Sequence, residues 1–130
     1  MPISNRGLAG QPTLPYIDYR VLAGVDAFVD LTFLDHTMTP VVPTSITYEL
    51  DDITNNLTMV APGTVLVPTG SSQTLQLPGS VLTMSYPYQG SQLCQLVVRA
   101  VVVDSVTAQP SNIAATFIIE LVAIQTPSGM

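Results

Sequence analysis

Two runs near the C-terminal end constrain the fold most. Leu93 to Val103 reads LCQLVVRAVVV, and Ala114 to Ile124 reads AATFIIELVAI. Both are dense in β-branched residues, which lose side-chain freedom in a helix and pack well on a pleated surface. Helix competes for 114–124, but its Thr, Ile, Phe and Val content favours strand. Apolar character is nearly continuous along both runs, so they are expected as central strands with both faces covered. Arg99 and Glu120 sit mid-run, either paired across neighbouring strands or pointing outward. TAQPSN, residues 107–112, supplies a hairpin-like connection between the runs.

The rest of the chain repeats this strand-and-turn rhythm. In SITYELDD, Ile46, Tyr48 and Leu50 share one face and Ser45, Thr47 and Glu49 the other, a period of two. Val29, Leu31 and Phe33 alternate in the same way. Leu57–Val60, Thr64–Val67, Gln73–Leu77 and Val81–Met84 read as short strands. Pro62–Gly63, Pro68, Gly70 and Pro78–Gly79 separate them. Asp51, Asp52, Asn55 and Asn56 bring turn chemistry between strands. No long helical period appears. Seven to eight short strands with regularly spaced turns predict an all-β, immunoglobulin-like β-sandwich over residues 26–126. There is no Trp and no cysteine pair, so the likeness to antibody domains is architectural.

Residues 1–25 differ. Pro2, Pro12, Pro15, Gly7 and Gly10 rule out a helix, yet Leu14, Tyr16, Ile17, Tyr19, Val21 and Leu22 are apolar. The segment reads as an extended N-terminal arm docking on its own sandwich or on a neighbour. Residues 127–130 read as a frayed tail. In YPYQG, Tyr86 and Tyr88 flank Pro87. With the six apolar arm residues they are the candidate partner-binding side chains, since tyrosine is a common interface anchor. The alternative is that they cap the sandwich ends.

Charge narrows the function. Charged residues make up 9% of the chain, against roughly 25% in ordinary domains. There is no Lys, and the cations are Arg6, Arg20 and Arg99. Exposed sheet edges are normally guarded by charge, so a chain this poor in guards is expected to have much of its surface covered by neighbours. A net charge of −6 repels phosphate backbones and anionic lipid, which argues against nucleic-acid and membrane partners. The opening residues lack the apolar core of a secretory signal, and no run reaches the ~20 apolar residues of a membrane helix. The chain is expected to be made and kept in a cytosol, or assembled there into something larger.

Catalytic chemistry finds little support. His36, the single histidine, stands beside Asp35 in a turn, and no strand-to-helix serine motif accompanies it. The single cysteine, Cys94, lies in an apolar strand and reads as a buried thiol. One His and one Cys do not make a zinc site. Asp26, Asp30, Asp35, Asp51 and Asp52 show no full calcium loop; Asp51 and Asp52 read as turn-forming and Asp30 as solvent-facing, a calcium site at a sandwich end being the alternative. Nothing calls for a cofactor.

The PTSITYELDD lead-in, the hairpin after it, the Thr-rich strand and the LPGSVL turn resemble small structural proteins of tailed bacteriophages, as does the long Val-rich strand that follows. The resemblance implies a single immunoglobulin-like domain in a virion, with neighbouring virion proteins as partners. It implies a homo-oligomer that decorates the capsid or sits at the head–tail junction or on the tail. The longer arm departs from the usual short lead-in. A free recognition module using loops 86–90 and 107–112 for a host-surface ligand is the other class of reading.

Overall fold

A computed structural model describes residues 17–86 and 90–123. Within them lie seven strands and no helix: β1 Tyr19–Leu22, β2 Ala27–Thr32, β3 Ser45–Asp52, β4 Leu57–Leu66, β5 Ser72–Leu77, β6 Ser91–Val103 and β7 Pro110–Val122. They form two sheets. One has five strands in the order β1-β7-β6-β3-β4, and the other pairs β2 with β5. All pairings are antiparallel except β1 with β7, which is parallel.

The core lies between the sheets, as period-two alternation requires. From β6 come Cys94, Leu96, Val98 and Val102, and from β7 Phe117, Ile119 and Leu121. They meet Val29 and Leu31 of β2 and Leu75 and Leu77 of β5, with Phe33 and Leu82 closing the ends. Each fully buried Leu or Phe contributes roughly 1.5–3 kcal/mol of transfer free energy. That makes this inner layer the main source of stability.

The structure departs from the sequence expectations in several places. The two segments expected at 57–60 and 64–67 are one strand, β4. Tyr48 pairs with Thr64 and Leu50 with Val60, so Ala61, Pro62 and Gly63 bulge opposite Glu49. A bulge on an edge strand relieves Pro62 of ladder duty, and Gly63 takes φ +81° there. A second irregularity puts Met59 between the pairs Leu50–Val60 and Asp51–Thr58.

Residues 81–84 form a turn rather than a strand. The Val81 and Leu82 amides donate to the Pro78 and Gly79 carbonyls, and Leu82 plugs the core. β7 starts at Pro110, earlier than Ala114, and ends at Val122. The long strands are also not covered on both faces by the described residues. Along β6 the residues alternate buried and partly exposed, because the small sheet covers only the inner face.

Candidate functional site

Three surface regions hold the features on which function can rest: the edge carrying β1, the outer face of the large sheet, and the two ends of the sandwich.

Of the arm candidates, Leu14 and Tyr16 lie outside the described residues. The ordered sheet begins inside the stretch read as arm. β1 runs alongside β7, Tyr19 opposite Ile119 and Leu22 opposite Val122. Tyr19 and Val21 pack against the chain's own core. The Tyr19 ring meets Phe117 at 6.3 Å between centroids, tilted by 56°. Burial raises the Tyr19 pKa above the ordinary phenol value, while the Asp30 amide of β2 beside its hydroxyl acts the other way. Tyr19 therefore bridges the two sheets at their margin. Ile17 is half-buried and Leu22 is exposed.

Just before β1, the Asp18 N–H donates to the Ile118 carbonyl at 2.8 Å, and the Asp18 carboxylate accepts the Ile118 N–H at 2.9 Å. A parallel strand continuing upstream would offer that N–H a backbone carbonyl. Here the Asp18 side chain accepts it instead.

The outer face carries the charges that the sequence left unassigned. Arg99 pairs with Glu49 at 2.5 Å and Arg20 with Glu120 at 2.5 Å. Arg99 and Glu120 do not pair with each other, because Arg99 stands opposite Ala114 and Glu120 opposite Leu93. Both arginines are well exposed, so each pair contributes about 0–1 kcal/mol. Asp51 lies next along β3, its pKa raised by burial and by the neighbouring Glu49 charge. Near the Val101 end, the small side chains Ser45, Ala114 and Asn112 leave a shallow hollow of about 500 Å³ with Arg99 at its rim.

At the end formed by the β6–β7 connection, Asp35 and Asp104 are buried. Asp35 accepts hydrogen bonds from the N–H and hydroxyl of both Thr37 and Ser105 and from the Thr39 N–H. The Ser105 and Thr37 hydroxyls hold its carboxyl far below the usual range, against the burial that would raise it. Asp104 is held low by the Thr107 and Val106 amides and by His36, whose Nδ1 meets its carboxylate. The histidine thus engages Asp104, while the Ser105 hydroxyl is committed to Asp35. A carboxylate so acidic is a poor base for activating it.

The opposite end is also stapled by a buried carboxylate. Asp52 accepts from the Ser85 hydroxyl at 2.5 Å and the Asn55 side chain at 2.7 Å. Burial pushes its pKa up, and these hydrogen bonds more than offset that. Gln92 donates to Cys94 Sγ at 3.5 Å and takes the Ser85 amide at 2.8 Å. Tyr86, beyond Ser85, is 53% exposed; Tyr88 lies outside the described residues.

Among the described residues no group of three or more His, Cys, Asp or Glu side chains is placed to hold a metal ion, and no helix is long and apolar enough to cross a membrane. The adjacent Asp51 and Asp52 point to opposite faces of β3. Of the partner candidates, Tyr19 and Val21 are brought together on the β7 margin, and Tyr86 follows Ser85 at the Asp52 end of the sandwich. Sequence reasoning missed the Asp18 cap and the Asp35, Asp52 and Asp104 staples. Each joins segments far apart in the chain, and turn-forming Asp and Ser carry no mark of a distant partner. Comparison with protein-family models, curated proteins and solved structures finds no match.

Proposed function

We propose that this chain is a non-catalytic structural protein of a tailed-phage particle, acting as a capsid decoration protein that binds neighbouring subunits through its sheet edges and N-terminal arm. The observation that carries this reading is the state of the edges. Strand β4 exposes Val65 at 70%, with Val67 just beyond it at 69%. No residue from Ile53 to Pro87 is charged. Free monomers seldom leave an edge this apolar and this neutral.

The strand order supports the immunoglobulin-like part of the reading. In such sandwiches the second and fifth strands pair in one sheet, and the third, sixth and seventh lie in the other. Here β2 pairs with β5, and β3, β6 and β7 lie together. β1 and β4 flank the sheet of β3, β6 and β7, where a constant-type domain would place both with the second and fifth strands.

The test is native mass by light scattering together with co-sedimentation with phage capsids and, separately, tails. Saturable pelleting with capsids is expected. A protein that pellets with neither sinks the proposal. His36→Ala is expected to leave binding unchanged, because His36 serves the fold through Asp104.

A further inference from the structure

The Asp18 contacts fix which way the backbone of β7 faces. The N–H and C=O of Ile118 both point towards β1. In a strand paired antiparallel on its other side, these directions alternate residue by residue. Thr116, Ala114 and Asn112 therefore also turn their N–H and C=O groups away from β6. β1 pairs only with Ile119–Val122, so among the described residues these groups have no backbone partner. A row of alternating donors and acceptors accepts one kind of ligand, an extended backbone.

This half-edge lacks the usual defences. Its pairing with β6 runs from Pro110 to Val122 without a bulge, whereas β4 is irregular twice. No residue from Ser105 to Ile119 is charged. The notch is also bounded. Pro110 has no N–H at one end, and the Asp18 carboxylate closes the other.

The geometry points to a second copy of this chain as the occupant: Ser111–Phe117 of each copy pair antiparallel about a two-fold axis at Ala114, joining two five-stranded sheets into one. This rests on reading the chain as an assembling structural protein. Asn112 then faces the partner's Thr116, a small polar pair, and Ala114 faces its own copy without crowding.

Charge permits this pairing. Two acidic chains meeting at β2 would oppose Asp26 and Asp30, whereas beside the Ala114 axis the charge across the ladder is Arg99, paired with Glu49 of its own chain. A self-complementary patch gives the closed two-fold dimer, the commonest oligomer.

The test uses the full chain. Light scattering over a dilution series is expected to give a mass of two chains at the concentrated end. Ala114→Pro removes an outward N–H and leaves the β6 ladder intact, so it is expected to give a monomer. Thr58→Lys on β4 is expected to leave the dimer. Ala114→Cys is expected to give a covalent dimer with a short bismaleimide cross-linker, since residues so paired lie about 5.5 Å apart at Cα and the buried Cys94 does not compete. If circular dichroism shows Ala114→Pro to be unfolded, the cross-link decides.

A wild-type monomer at every concentration overturns the inference, as does a folded Ala114→Pro that stays dimeric or an Ala114→Cys that does not cross-link. Dimerisation seen only after removal of residues 1–16 also overturns it, by making the chain's own segment the occupant. Particle binding is read separately. Loss of co-sedimentation with an intact dimer counts against the virion reading alone.

Discussion

Ser105 donates both its N–H and its hydroxyl to the carboxylate of Asp35, tying the β6–β7 connection to the turn after β2. Asp35 has its pKa lowered by these and the Thr37 bonds, which outweigh burial. Its stabilising effect is complete above the unfolded-state value of about 3.9 and is lost as pH falls through the lower folded value. Asp52 and Asp104 are shifted in the same direction. Thermal stability is therefore expected to fall progressively below about pH 4. Asp35→Asn is expected to lower Tm at pH 7 and flatten the acid slope. Calorimetry between pH 2 and 7 checks this, and an unchanged slope in the variant would contradict it.

Gly79 faces the turn that delivers β1 to β2. A Cβ there would lie 2.2 Å from the Gly24 carbonyl oxygen and 2.6 Å from its carbon. Both are backbone atoms, held by the Gly24 N–H to Leu82 bond and by the Asp26 carboxylate accepting the Gly79 N–H. Gly79→Ala is therefore expected to cost about 1–3 kcal/mol, as overpacking does. Gly90→Ala meets no atom within 4 Å and serves as the control. Urea denaturation of the two variants reads the difference.

Cys94 is fully buried, and burial pushes its thiol up to about 11 despite the Gln92 contact. The thiolate is the reactive form. Labelling by a disulfide reagent at pH 8 is expected to be slow in the native protein and fast in urea. Complete labelling within the mixing time of the native protein would refute the burial.

Tyr19 tests where the arm ends and the sandwich starts. Its ring rests on Phe117 and its hydroxyl lies beside Asp30. Tyr19→Ala is expected to cost about 2 kcal/mol, less than the roughly 3–5 of a fully buried aromatic. The loss is expected in the isolated chain, without any partner. Equal stability of variant and wild type would return Tyr19 to the exposed arm.

Period-two alternation marked the inner faces before any tertiary information. Val29, Leu31, Ile46, Leu50, Leu75 and Leu77 are all core residues. The same rule failed at β4, because Pro62–Gly63 reads as a turn in isolation. Only pairing with β3 shows that the strand passes through it as a bulge. Arg99 and Glu120 invited pairing with each other, yet antiparallel register sets them six residues apart along the ladder and gives each a different partner.

Sequence by itself determined that this chain is all β, which side chains share a face, and where most turns fall. These depend on local torsional preference and on neighbours one or two residues away. Tertiary structure alone decided which strands share a sheet and that β1 belongs to it. It also placed three buried carboxylates as staples and left the outer face and the upper β7 edge without cover from the described residues. The physical reason is reach. Backbone pairing and side-chain hydrogen bonds join residues up to 100 positions apart, as Asp18 joins Ile118, and no local pattern records the partner.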